Sequence, residues 1–448
     1  MIKSVKKQVL SLIVLFVLIQ VPPAFALENG QISLPKSEQP PEKGKETETP
    51  IDPNAAPPLT FKITPKLSFG GRLDLQIRGD NNRDLNDAEE DGLVILRPRL
   101  NLAALYRPWE DIDLYGEVRF SYTQALEDPS GRRSDKENIE FELRRAYLLW
   151  RGFLIPLLNM QVGRQRFKDD REWLYDENLD ATRILFKRDP LALELSVSIN
   201  LINSILSTNL IDPKDEEEAI INYILYNAYR YGRKDEIAFY GILRQDLSEG
   251  DQDLAFLGIY WKGRPIKRQK FWLEAASSLE RDKSNIPHGL GVDLGWISRF
   301  DLPLEPSLTV GFAIGSKNFR QTGLQDNSGR FNGVSKFKYY GEVLDPELSN
   351  IMIWTGGLGI IPFDETSLDI VYHYYAQVEK SDKLRDANVD KDLTGEDRDL
   401  GNEVDLIFGS EIIKNVQVVL ITGVFMPGKA FPEDDVALLG KLEVQIAF

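Results

Sequence analysis

The feature that most constrains this chain is an alternation of period two, repeated in segment after segment from Phe61 to the last residue. Leu67, Phe69, Leu73, Leu75 and Ile77 share one parity, while Ser68, Gly70, Arg72, Asp74, Gln76 and Arg78 hold the other. Successive side chains of a strand point to opposite faces, so each such run makes one apolar face and one wet face. The pattern recurs with Leu96, Leu100 and Leu102 against Arg97, Arg99 and Asn101, then with Ile112, Leu114, Val118 and Phe120 against Asp113, Glu117 and Arg119. At the C-terminus Leu442, Val444, Ile446 and Phe448 alternate with Lys441, Glu443 and Gln445.

A soluble sandwich would turn the apolar faces into a dry core. Charges on the same face of strand after strand instead suit a water-filled lumen, with the apolar face against lipid. Beyond the N-terminal run no stretch of 18 apolar residues occurs, which leaves a closed barrel as the way to cross a bilayer. Tyr106, Trp109, Tyr260, Trp261, Trp272, Trp296, Tyr372, Tyr374 and Tyr375 are read as interfacial girdles. The final amphipathic strand ending in Phe448 resembles the C-terminal signal of outer-membrane barrels. A spanning strand with its share of connections takes about 20–24 residues, so the roughly 390 residues after the leader supply about 16 to 18 strands. The expected fold is all-β: an antiparallel transmembrane β-barrel of about 18 strands with a basic lumen.

The ends read differently. Met1 to Ala26 has a basic start (Lys3, Lys6, Lys7), an apolar run from Val9 to Val21 and Ala24-Phe25-Ala26, the pattern of a cleaved secretory signal. Residues 27–60 are rich in Pro, Glu, Lys and Thr and read as a disordered periplasmic leader. The barrel is expected over 61–448. Short connections are expected at Pro108-Trp109-Glu110 and Lys187 to Pro190. Long acidic ones, expected to face outward, are Gly79–Asp91, Ala125–Asn138, Ile211–Glu218, Phe319–Lys338 and Glu379–Asn402.

Composition excludes several chemistries. Removal of the signal takes Lys3, Lys6 and Lys7 with it and moves the formal charge from −16 to −19, 51 basic residues against 70 acids, and a nucleic-acid partner is not expected. There is no cysteine and only His288 and His373, so thiolate and histidine-rich metal centres are excluded, and neither metal nor cofactor is expected. A serine hydrolase needs a His beside its Ser, and neither histidine has a serine two residues on. Asp386, Asn388, Asp390 and Asp392 superficially resemble a calcium loop, but Lys391 stands at the required Gly and Asp397 at the bidentate Glu. We read it as a solvated loop.

The sharpest constellation runs from Gly163 to Asp180. It sets Arg164, Arg166, Lys168 and Arg171 among Asp169, Asp170, Glu172, Asp176, Glu177 and Asp180, with Trp173 and Tyr175 between them. A solvated salt-bridged loop seldom needs those aromatics. A segment folded into a lumen does, using ion pairs to hold guanidinium groups at a constriction.

At this point the chain resembles the alginate export porins of the outer membrane. The matching pieces are Leu96-Arg-Pro98, Arg144, Gly163-Arg-Gln-Arg166 with Asp176-x-Asn178, Gln321-Thr-Gly-Leu324, Gly341-Glu342 with Glu347-Leu-Ser-Asn350, Gly401-x-Glu403-x-Asp405-Leu406, and Phe425-x-Pro-Gly428. The resemblance implies a monomeric 18-stranded barrel in outer-membrane lipid, passing an anionic polysaccharide of the polyuronate type. A periplasmic export scaffold is a candidate partner. It implies that Arg97, Arg144, Arg166, Asp176, Asn178, Arg330 and Lys336 line the pore, and the strand parity adds Arg72, Arg99 and Arg119. Arg145 departs from the family, which has an acid there, and Lys336 replaces an arginine. Val419 to Thr422 lacks a family arginine, and Asn209 stands near an expected aspartate. Three alternatives stay open: an uptake porin for small anions or acidic sugars, a plugged barrel whose loops bind partners, and an enzyme.

Overall fold

The computed structural model describes residues 56–131, 137–199, 207–209, 220–232, 235–247, 253–280 and 287–448. The signal region, nearly all of the leader, the 211–218 connection and part of the 125–138 connection lie outside the described residues. Among the described residues there is no helix.

The strands join into one antiparallel sheet of 20 members, two of which are short annexes, Phe61–Thr64 and Ser207–Asn209. The remaining 18 form a closed wall. In chain order they are Leu67–Asn81, Leu93–Trp109, Ile112–Glu127, Glu137–Trp150, Leu158–Lys168, Asp176–Arg188, Leu191–Ile199, Ile220–Arg230 and Glu236–Asp246. Then follow Leu254–Gly263, Gln269–Glu280, His288–Arg299, Ser307–Gly315, Ile351–Ile360, Thr366–Gln377, Asp399–Ser410, Val416–Pro427 and Ala437–Ala447. Each pairs with the next, and the last pairs back onto the first, from Arg72 opposite Ala447 to Asn81 opposite Leu438. Closure leaves no free sheet edge, which a bilayer requires. The terminal residue completes it: Gly71 and Phe448 exchange backbone hydrogen bonds of 2.8 and 2.9 Å.

Burial is inverted relative to a soluble protein. Leu73, Leu75, Ile77, Phe120, Leu257, Val310, Leu406 and Leu442 are exposed, while Arg72, Asp74, Asn101, Glu117, Asp293, Glu403 and Gln445 are buried. Apolar side chains outside and polar ones inside are the expected inventory of a membrane barrel with a wet interior. The turns at Glu110–Asp111 and Asp189–Pro190 are short, as expected, and share an end with Leu67 and Phe448, where the wall begins and closes. The long connections gather at the other end.

One long connection does not face outward. Residues 316–350, which contain the segment expected as the loop Phe319–Lys338, fold back inside the wall. Lys338 bonds Asp326 at 3.0 Å, Arg320 reaches Glu280 at 2.9 Å, and Val334 N–H donates to Ser367 Oγ at 2.9 Å. Ser367 and Lys270, whose ammonium donates to the Phe331 carbonyl at 3.4 Å, both lie near the short-turn end. The insert therefore runs the depth of the barrel. Its presence also corrects three girdle residues: Tyr260, Trp272 and Tyr375 are buried on the inner face, against the insert and its supports. Tyr106, Trp109 and Tyr372 are exposed.

Candidate functional site: two luminal inserts and an arginine-bearing wall

The second insert comes from the wall itself. The strand Glu137–Trp150 pairs with Leu158–Lys168 only from Ala146 opposite Arg164 to Trp150 opposite Met160. Further along, at Glu140 to Glu142, its partner is Ser207–Asn209 instead. The hairpin of residues 164–180 has left the wall, although its own two strands stay paired from Arg164 opposite Asp180 to Lys168 opposite Asp176.

Gly163 is the hinge. Its φ is +119°, and a Cβ there would lie 2.2 Å from the Ala146 carbonyl oxygen. That backbone region is essentially reserved for glycine, and the close approach leaves no room for a side chain. Strand parity gives the same answer. Val162 is exposed on the outer face, so a straight strand would have sent Arg164 and Arg166 into lipid, where arginine is costly. Turning the hairpin inward hides them in the lumen.

One face of the hairpin is apolar. Trp173 is fully buried, stacks on Phe319 at 6.1 Å and packs tilted against Phe256 at 5.8 Å, and its indole N–H donates to the Tyr340 hydroxyl at 2.9 Å. The two distinctive sequence motifs meet here. Gln321 Nε2 donates to the Trp173 carbonyl at 3.3 Å, Thr322 Oγ1 donates to the Leu174 carbonyl at 2.5 Å, and Asp176 N–H donates to the Leu324 carbonyl at 2.7 Å. Arg171 lies between the rings of Trp272 (4.2 Å) and Tyr339 (4.0 Å) and bonds Asp293 at 2.9 Å. This arginine ties the hairpin to the far wall through cation–π contacts and an ion pair.

The remaining family motifs fasten the long insert. Glu403 accepts the N–H groups of Val343 (2.7 Å) and Leu344 (3.0 Å) and the Tyr375 hydroxyl (3.0 Å), while Lys441 bonds Glu342 at 3.2 Å. Gly341, at φ +105°, is needed because a Cβ would fall 2.2 Å from the Tyr375 hydroxyl.

The other face of the hairpin is charged, and most of the expected site residues collect there. Arg166 grips Asp176 with both Nε (2.5 Å) and Nη2 (2.8 Å), a forked geometry only arginine supplies. Lys336, from the long insert, contacts Glu172 at 2.5 Å, Asp326 at 3.6 Å and Asp176 at 3.7 Å. Those three carboxylates lie close enough together to hold a metal ion, but the Lys336 ammonium already stands among them. Burial pushes Glu172 up to about 8, more than Lys336 and Lys168 offset. Asp326 is half-buried, and Lys338 and Lys336 hold it down to about 2. Arg330 is partly buried in the same insert and is engaged there.

Across from the hairpin stands the wall of Leu67–Trp150. A bulge between Glu117 and Val118 inserts Arg144 as an extra residue, so Arg144 and Arg145 are both buried, as bulges allow. Arg145 bonds Glu117 at 3.1 Å and donates from Nε to Asn178 Oδ1 at 3.2 Å, which joins wall to hairpin. Arg144 lies 3.9 Å from Glu142, as does Arg119. Further round, Arg119 donates to Asn101 (2.8 Å), Asn101 to Asp74 (2.7 Å), and Arg72 to Asp74 (2.7 Å). Arg99 reaches Gln76 at 3.3 Å and Arg97 reaches Thr123 at 3.2 Å. The expected residues thus form two groups: Arg166, Asp176, Asn178, Arg330 and Lys336 on the inserts, and Arg72, Arg97, Arg99, Arg119 and Arg144 on the wall. Sequence reasoning did not assign Glu117, Glu142 or Arg145 to the site. The parity rule contained Glu117, and only the bulge brings Arg145 in.

The histidines sit apart. His288 does meet a serine, Ser277 of the neighbouring strand, at 2.8 Å, but the pair is exposed on the outer face. Among the described residues no carboxylate is hydrogen-bonded to His288. His373 is buried against Thr355 at 3.0 Å.

Comparison with known proteins agrees with this architecture. The alginate production protein AlgE of Pseudomonas aeruginosa is 23% identical over 403 residues, 76% of this chain and 80% of that protein. Its namesake from Pseudomonas syringae pv. tomato is 23% identical over 468 residues, covering 84% and 92%. Among solved structures, the Pseudomonas aeruginosa barrel OccK9 (OpdG) superposes with a TM-score of 0.59 at 9% identity, over 85% of this chain and 98% of that one. OpdK from the same organism, solved with vanillate, gives 0.56 at 10% identity, over 85% and 98%. At such low identity the two structures speak for the fold alone, that of an outer-membrane porin. The family model described as alginate export matches residues 65–444, so this chain belongs to the alginate export family.

Proposed function

We propose that this outer-membrane barrel is a channel through which an anionic polysaccharide, an alginate-like polyuronate, leaves the cell along the polar side of its lumen. It is a channel rather than an enzyme. The observation that carries the reading is the inward turn at Gly163, which sets Arg166, Asp176 and Asn178 opposite Arg144 and Arg145. A polyuronate bears one carboxylate per sugar. Guanidinium groups staggered along a wall can take successive carboxylates as forked hydrogen bonds, and their own acidic partners keep each site weak. Weak, repeated sites let a chain slide, whereas one tight site would stall it. Membership of the alginate export family supports the substrate class. Release of the signal near Ala26 and action as a monomer belong to the same proposal, as does a periplasmic scaffold that delivers the polymer.

The test is electrical. In planar bilayers the protein should show an anion-selective reversal potential, and uronate oligomers should block it more strongly as they lengthen. Arg144→Ala should weaken both. Equal block by short and long uronates would favour an uptake porin for small anions, and a cation-selective or closed pore would overturn the reading.

A further inference from the structure

The arginine-bearing wall also carries an aromatic pair that its ion pairs do not account for. Tyr115 and Tyr147 are register partners on neighbouring strands, and their rings stack at 5.1 Å with 24° between the planes. Both side chains share the inner parity, because Tyr115 stands between Asp113 and Glu117, which are buried on that face. Neither ring belongs to the apolar cluster around Trp173. Tyr115 is buried, with its hydroxyl donating to Glu117 Oε2 at 3.0 Å, whereas Tyr147 is half-buried. On its other side Tyr147 is paired with Gly163, which has no side chain to flank the ring.

Guanidinium groups stand on both sides of this pair along the wall. Toward the short-turn mouth, Arg107 bonds Asp113 at 3.0 Å and Arg151 grips both oxygens of the same carboxylate. The two arginines share one acid and keep side-chain exposures of 54% and 40%, so an anion arriving at the mouth can reach them. Deeper in the lumen, Arg145 pairs with Glu117 at 3.1 Å. Asp113 and Glu117 lie about 13 Å apart along the extended strand, with Tyr115 midway. The order inward is therefore guanidinium, ring, guanidinium. A sugar ring offers weakly positive C–H groups to the negative face of an aromatic ring. A uronate adds a carboxylate, which guanidinium groups take as forked hydrogen bonds. The exposed acids Glu110 and Asp111 in the adjoining turn keep such a site weak, as sliding requires.

We propose that Tyr147, backed by Tyr115 and flanked by Arg151 and Arg145, is an entry subsite where one sugar ring of the polyuronate stacks while carboxylates on either side meet the two arginines. It lies between the short-turn mouth and the hinge at Gly163, and it rests on the polyuronate reading of the cargo. Its test separates binding from conduction. Calorimetry on the detergent-solubilised protein with a short oligouronate should show binding that Tyr147→Leu weakens about tenfold. Tyr147→Phe, which keeps the ring, should keep the parent affinity. Arg151→Gln, at the exposed rim, should also weaken binding and make it less sensitive to salt. Binding absent from the parent, or unchanged in Tyr147→Leu, would overturn the subsite, whatever the pore conducts. Equal loss in Tyr147→Phe would trace the effect to the hydroxyl and overturn the stacking. Binding through Tyr147 by a barrel that is closed or cation-selective in bilayers would support the subsite and overturn the conduit.

Discussion

Glu117 and Arg145 face each other across neighbouring strands on one side of the barrel, while on the other Trp173, Phe256 and Phe319 pack in a buried cluster. That buried apolar cluster draws residues from the strands between Ile220 and Ala447, from both inserts, from Ala181 beside the hairpin and from Leu85, but none from Leu93–Trp109, Ile112–Glu127 or Glu137–Trp150. The same wall geometry thus supports two interiors. One half is filled by folded chain and gains stability from burial. The other keeps its charges in pairs along the inner wall. The boundary between them is the hairpin of residues 164–180, apolar on one face and charged on the other. If this division is real, changes in the filled half should cost stability, and changes in the polar half should alter selectivity.

The largest effect is expected in the filled half. Trp173→Ala removes a fully buried ring together with the N–H that donates to the Tyr340 hydroxyl, so about 3–5 kcal/mol of unfolding free energy should be lost. Denaturant unfolding followed by near-UV circular dichroism would measure it. A variant of near-normal stability whose reversal potential has moved would break the comparison.

Gly163→Ala attacks the boundary. The added Cβ meets the Ala146 carbonyl at 2.2 Å in a backbone region alanine avoids, a strain of about 1–3 kcal/mol. Loss of stability together with loss of polyuronate block is expected, because the hairpin carries both faces. Block that survives intact would mean the charged face does not depend on this hinge.

The same residue shows how much could be read beforehand. The alternation made the barrel and its short turns legible, because side-chain parity is a local property; chain length narrowed the count to 16 to 18 strands and the family resemblance to 18. The pairing of hairpin and long insert was not, since Trp173 and Phe319 lie far apart in sequence and nothing local says that one interior will be filled. That omission placed residues 319–338 outside and put Trp272 in a girdle. The inward turn did leave a trace: Val162, Arg164 and Arg166 share a parity that lipid would not accept. The arginines of the wall followed from alternation, but Arg145 depends on a bulge that no spacing announces.

In the polar half, Arg166→Ala should cost less unfolding free energy than Trp173→Ala, since Lys336 remains beside Asp176. The reversal potential should nevertheless shift toward cations. Arg166→Lys should restore charge but only part of the uronate block, because the forked contact with Asp176 is lost. Full restoration by lysine would reduce the site to a point charge.

The smallest effect is the most specific. Burial raises Glu172 to about 8, so its carboxyl is protonated below that value and gains a negative charge as the pH rises through it. Facing it are Lys336 and Asp326 from the long insert and Arg166, Lys168 and Asp176 from the hairpin. Asp326 is held ionised throughout, down to about 2, whereas the charge of Glu172 changes near neutrality. Anion preference should therefore be greater below about pH 7 than above about pH 9. Glu172→Gln should hold the acid-side preference across the whole range, since glutamine keeps the shape and cannot ionise. The paired arginines of the wall provide the control. Arg144→Ala should lower the preference at both ends by a similar amount and leave the pH step in place. A step that persists in Glu172→Gln would locate the titrating group elsewhere and detach the cluster on the inserts from the conduction path.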